Sequence, residues 1–207
     1  MKENFSDEEN ILFDFFNQVY PLTETDFRPL AKAMKKKKIK QGEILLNIGQ
    51  IETKTSLVLK GFIHQYLIID GNLYTIDFSL AGMSFNNFTS YMENSPSNQI
   101  QEAITDSEIL YFEKKDIDKF LLESHPFSYI YTRLFEQVHL EREKRSLILQ
   151  HKNANKRYEL FLNTISKSKV FLEQVPQKLI ANYLGMTPET YSRVKKKYLK
   201  KKDKVIS

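Results

Sequence analysis

The chain of 207 residues contains no cysteine. That excludes a structural disulfide, a thiol nucleophile, and zinc or iron–sulfur sites held by thiolates, and it fits a reducing compartment. No run approaches the roughly 20 apolar residues that a membrane-spanning helix needs. The acidic start MKENFSDEEN has no signal-peptide core, so the expectation is a cytoplasmic protein with no membrane partner. No phosphate-binding GxxxxGKS/T, dinucleotide GxGxxG, zinc HExxH or nucleophile GxSxG pattern occurs, so no enzyme and no cofactor is expected. The pair Asp116 and Asp118 falls on a charged, solvated stretch. The four histidines, His64, His125, His139 and His151, have no ligand spacing and read as structural or exposed, with no metal site. Glycine is scarce: five of the six lie between Gly42 and Gly82, and the sixth is Gly185.

What is present fits a soluble globular protein, with 41% apolar and 13% aromatic residues and enough length for two small cores. The formal charge of +5 is unevenly spread. Residues 153–207 hold 13 Lys/Arg against 4 Asp/Glu, a net +9, and the preceding residues sum to −4. Such a field favours a polyanion and makes affinity salt-dependent. A solubilising basic end is the alternative.

The stretch Gln177–Tyr198, QKLIANYLGMTPETYSRVKKKY, reads as two short helices around a tight turn at Gly185, with Ala181 where the helices approach closely. Thr187 and Pro188 restart the chain, with a hydroxyl for the N-cap and then proline at the first helical position, where its missing N–H costs nothing. On the second helix Tyr191, Val194 and Tyr198 share one face, and Glu189, Ser192, Arg193 and Lys196 share another. A helix that buries one stripe and offers Arg, Lys, Glu and Ser on the other suits a DNA major groove. An ordinary helical hairpin with a solvated face has the same spacing.

Upstream, Asn10 to Lys35 looks helical, with Ile11, Leu12, Phe15, Phe16 and Val19 at helical spacing. Lys35–Lys38 reads as a solvated edge, and a period of two begins at Ile39. The runs ILLNIGQ, SLVLKGFIHQYLIID and NLYTIDFSL, with further strands near Ile100–Ile104 and Glu108–Phe112, predict an antiparallel β-roll bent at its glycines. Asp70-Gly71 makes a hairpin turn. Lys114–Leu122 reads as a short helix closed by His125-Pro126, and Phe127–His151 as a helix spanning roughly 36 Å. Its length favours pairing with a partner helix over burial in its own chain. Ala154–Thr164 begins another helix, so the hinge is placed near Lys152–Asn155.

This order, with QGEILLNIGQ and LVLKGFIHQY opening the roll and KRYELFLNTI before VPQKLIANYLGMTPETYSRVKKK, resembles the Crp/Fnr family of transcription regulators across nearly the whole chain, and the subgroup common in Bacteroidetes. The resemblance implies an α+β fold in three parts. Residues 1–125 would form a cyclic-nucleotide-binding-like sensor roll, 126–152 a long dimerisation helix, and 153–207 a winged-helix-type helix-turn-helix domain. It implies a homodimer on a two-fold-related double-stranded operator, RNA polymerase as a further partner, and a possible small-molecule effector. Recognition helices would sit about one DNA turn apart, roughly 34 Å. By position, Glu189 and Arg193 match base-reading residues, an assignment that competes with a plain Glu189–Arg193 intrahelical pair. Thr187, Thr190, Ser192, Lys196 and Lys197 would make phosphate or flanking contacts, and Pro188 replaces a basic residue of some relatives. The effector region, LAGMSFNNFTSYMENSPSNQIQEAI, places Phe85, Asn86, Ser97 and Asn98 at the candidate pocket. It lacks the acidic residue and the arginine that grip ribose and cyclic phosphate in nucleotide-binding relatives. The usual binding of cyclic AMP is therefore not expected, and Phe85, Phe88, Tyr91 and Met92 either line the pocket or fill it. The alternative function, from another class, is a ligand-binding or protein-interaction module whose terminal domain no longer reads DNA.

Overall fold

The computed structural model describes residues 5–206, with the backbone alone for 201–206; the opening Met1–Asn4 of the acidic N-terminus lies outside the described residues. The chain forms two compact units, Met1–Phe135 and Glu136–Ser207.

The first unit opens with two helices whose starts are written locally. Helix α1 (Asp7–Asn17) begins at a capping box in which Ser6 Oγ accepts from the Glu9 N–H at 3.2 Å and Glu9 accepts from the Ser6 N–H at 2.7 Å. Helix α2 (Glu24–Ala33) repeats the device with Thr23 and Asp26. Their apolar faces, Leu12, Phe16, Phe27 and Leu30, pack with Ile117 and Phe120 of α4 (Lys114–Glu123). Phe127 and Ile130, from the first turns of α5 (His125–Gln150), complete this core.

Among the described residues, eight antiparallel strands make the roll: β1 (Lys35–Ile39), β2 (Ile44–Leu46), β3 (Lys54–Lys60), β4 (Phe62–Ile69), β5 (Asn72–Leu80), β6 (Ser84–Phe85), β7 (Ile100–Ala103) and β8 (Ser107–Glu113). They form two sheets, ordered β1-β8-β3-β6 and β2-β7-β4-β5. Because side chains alternate along a strand, β3 and β8 serve two cores at once. Leu57 and Leu110 face the helices, while their neighbours Val58 and Ile109 join Ile39, Ile63, Phe85 and Ala103 inside the roll. The β4–β5 hairpin turns on Asp70 and Gly71, with φ of 51° and 74°, the left-handed pair that a two-residue turn between twisted strands needs.

Several elements differ from the sequence expectation: the helical stretch Asn10–Lys35 divides into α1 and α2, and α7 of the second unit (Ser168–Gln174) was not foreseen. Lys35–Lys38 is solvated, but it is already strand, paired with β8 from Lys35↔Tyr111 to Ile39↔Ser107. An edge strand of lysines has no alternation to detect and resists pairing with other chains. Lys35 reaches Glu113 at 3.3 Å and Lys36 reaches Glu108 at 3.0 Å. The aromatic segment after β6 forms a helix, α3 (Phe88–Glu93), capped by the Asn87 side chain.

The second unit continues α5 and adds α6 (Ala154–Thr164), α7 (Ser168–Gln174), α8 (Gln177–Tyr183) and α9 (Pro188–Ile206) around Tyr158, Phe161, Phe171, Ile180, Leu184, Tyr191 and Val194. It contains no strand among the described residues, so the helix-turn-helix stands there without a β-wing. Only Val175 and Pro176 separate α7 from α8, too short a link for a hairpin, and the chain after the turn continues as helix.

Candidate functional site

The turn that positions α9 is fixed by backbone hydrogen bonds. Helix α8 ends with Gly185 at φ 63°, where the Gly185 N–H donates to Asn182 O at 2.9 Å and the Met186 N–H to Ala181 O at 2.9 Å. This paired closure needs a left-handed residue, which is why glycine stands there. Two arginines satisfy carbonyls left free at this end. Arg145 Nε donates to Tyr183 O at 3.2 Å while its guanidinium lies over the Tyr183 ring at 4.2 Å. Arg157 Nη2 donates to Gly185 O at 3.0 Å, and its Nη1 ties back to His151 O at 2.7 Å. The spacing of the helix pair gave no sign of either arginine; both approach from other helices.

Helix α9 starts as its sequence dictates. Thr187 Oγ1 accepts from the Thr190 N–H at 3.2 Å, and Pro188 occupies the first helical position. Hydrogen bonds from its own backbone N–H and from Thr187 hold the Glu189 carboxyl below its ordinary pKa, so this carboxylate is an acceptor at neutral pH. Tyr191 and Val194 are buried, and Tyr158 meets Tyr191 and Tyr198 edge-on at 5.6 and 5.5 Å. The opposite face is open: Thr187, Pro188, Glu189, Ser192, Arg193, Lys196 and Lys197 are exposed, and Thr190 is half-buried. Helix α9 and the Thr187 before it therefore carry all eight candidate contact residues, seven of them exposed, with aromatic rings packed on the helix's other side.

The interior of the roll is a different kind of site. Phe85 is part of its apolar core. Asn86 is half-buried and donates to Thr55 Oγ1 at 3.3 Å, Ser97 is buried, and Asn98 is exposed. The structure adds residues that the sequence reading missed. Glu52, from the loop between β2 and β3, is only 7% exposed and accepts from the N–H groups of Lys54 and Asn87 and from Gln101 Nε2 at 2.9 Å. Asn87 in turn donates to Ser97 Oγ at 2.6 Å, and the Glu52 N–H donates to Ser90 Oγ at 2.9 Å. Burial raises the Glu52 pKa against these donors. Phe88 packs on Phe135 at 5.0 Å, Tyr91 is buried and Met92 is exposed. No spacing in the sequence links residue 52 to residues 87–101; only the folded roll joins them.

Of the histidines, His64 is buried against Tyr66 and Phe78 with Nε2 at 3.0 Å from Thr75 Oγ1; the other three are exposed. Among the described residues there is no cluster of three potential metal ligands and no helix long and apolar enough to cross a membrane.

Neither a protein-family model nor a curated protein matches the chain. Solved structures do. FixK2 from Bradyrhizobium japonicum aligns with a TM-score of 0.64 at 20% identity, covering 81% of this chain and 85% of its own. A putative transcriptional regulator of the Crp/Fnr family from Eubacterium rectale aligns with a TM-score of 0.63 at 17% identity, covering 91% of this chain and 88% of its own. A cyclic nucleotide-binding domain from Methylobacillus flagellatus aligns with a TM-score of 0.60 at 15% identity, covering 70% of this chain and 86% of its own. With its glycine-bent antiparallel roll, long helix and terminal helix-turn-helix, the chain has the fold of the Crp/Fnr transcription regulators.

Proposed function

We propose that the chain is a sequence-specific DNA-binding transcription regulator that works as a homodimer and places α9 in the major groove. The observation that carries this reading is the two-sided character of α9. Tyr191 and Val194 lock it into its unit, and Glu189, Ser192, Arg193 and Lys196 are exposed on the face a groove would meet. Arginine grips guanine O6 and N7, and an ionised Glu189 accepts from cytosine N4. Thr187, Pro188, Thr190 and Lys197 flank that face and contact sugar and phosphate. RNA polymerase is the partner that a bound regulator addresses.

The division of labour is a sensor over 1–125, a pairing helix over 126–152 and a reader over 153–207. Pairing is supported by Leu140 and Leu147, which are exposed at 49% and 60% one heptad apart on α5. The sensor does not take a cyclic nucleotide in the usual way. Where an anionic phosphate would need a cationic partner, the roll offers neutral Asn87 and Ser97 bonded to each other, and the buried Glu52 beside them. Any effector it accepts is not an anion held by an arginine.

Selection of fragments from random duplex DNA by the purified chain tests the reading. Enrichment of one two-fold-related sequence, weakened by Arg193→Ala, is expected. Indifferent recovery, with Arg193→Ala equal to the native chain, contradicts it.

A further inference from the structure

Helix α9 is longer than a reading helix requires. Its 19 residues, Pro188–Ile206, extend about 28 Å at 1.5 Å per residue, against a major groove roughly 12 Å wide and 8.5 Å deep. Among the described side chains, the last that packs on a neighbouring helix is Tyr198, against Tyr158; Leu199 and Lys200 after it are exposed. The helix backbone continues beyond Tyr198 for about two turns. The sequence of those turns, from Lys200 to Lys204, is four lysines and one aspartate. Lys197, Lys200 and Lys204 come four, seven and eleven residues after Arg193, the spacing that returns to one helix face. The stripe that begins with Glu189 and Arg193 thus continues as lysine alone.

Lysine near a helix C-terminus complements the helix dipole, but several like charges on adjacent turns repel one another unless a polyanion answers them. A helix whose first turns lie in the groove has its later turns at the rim, where the phosphates are. Among the described residues no β-wing offers a second contact there.

We propose that the extension from Leu199 to Lys204 is a separate phosphate-binding element. It grips the DNA backbone at the rim of the groove and supplies sequence-independent affinity, while Glu189 and Arg193 supply selection. This deepens the DNA-binding reading and rests on it.

The test compares the native full chain with the quadruple variant K200Q/K201Q/K202Q/K204Q, which removes charge at little cost in helix propensity. Each is titrated onto the selected duplex and a scrambled duplex between 50 and 200 mM salt. The variant is expected to bind both duplexes roughly tenfold or more weakly at low salt. Its salt slope should be shallower by about 2 to 4, and the ratio between the two duplexes unchanged. An unaltered slope and affinity mean a merely solvated tail and overturn the proposal, as does a collapse of the ratio, which would make these lysines readers of sequence. A native chain that binds all duplexes alike, with the variant's slope still reduced, overturns the reader assignment and keeps this one. A native chain that binds no duplex overturns both.

Discussion

At the scale of single residues, exposure and chemistry on α9 separate two roles. Arg193→Ala should cost about 1–3 kcal/mol of specific binding and relax discrimination. Lys196→Ala should weaken all duplexes alike and lower the salt slope by about 1, so titrations on two sequences distinguish them. The exposed face of α9 was legible in the sequence because Tyr191, Val194 and Tyr198 mark the packed stripe. Glu52 was not legible, since Asn87 and Gln101, which bond to it across the fold, lie 35 and 49 positions away. His64 offers a pH test. Buried without a charged partner, its pKa falls from 6.5 to about 4, so the folded chain stays unprotonated where the unfolded chain takes up a proton. Stability is therefore lost as pH falls from about 6.5 towards 4, by about 3 kcal/mol from this group. Denaturation midpoints at pH 7 and pH 4.5 should draw closer together in His64→Gln than in the native chain. An equal acid loss in both would remove His64 as the cause.

At the scale of elements, the sequence announced those whose signal is local. The helical periodicity of α1 and α2, the Asp70-Gly71 hairpin and α6 follow from glycines and spacing within a few residues, whereas the capping boxes at Ser6 and Thr23 were read only from the structure. It hid β1, whose lysines carry no alternation, and α3, whose six residues are too few for a period to register. The turn before α9 depends on one residue and two borrowed arginines. Gly185→Ala puts a Cβ on a left-handed backbone and should cost about 1–2 kcal/mol. Thr187→Ala removes the cap and should cost about 1 kcal/mol. Thermal melts check both; in Gly185→Ala a lower Tm should accompany weaker DNA binding, because the same turn aims the helix. An unchanged melt would mean that the turn tolerates other backbones.

At the scale of the whole molecule, the positive excess of the last 55 residues and the neutral Asn87–Ser97 pair beside buried Glu52 are what the proposed division into a reader and a sensor rests on. Two-fold DNA demands two readers, and the exposed leucines of α5 are where a second copy would join. Leu140→Ser with Leu147→Ser should shift sedimentation equilibrium towards monomer and leave the fold of each unit intact. An unshifted dimer would move the interface elsewhere. The central claim, that paired α9 helices read successive major grooves, is tested most directly by footprinting the native chain on its selected duplex. The account predicts two protected major-groove patches centred about one helical turn apart, roughly 34 Å. A single patch, or protection spread evenly along the duplex, would contradict it.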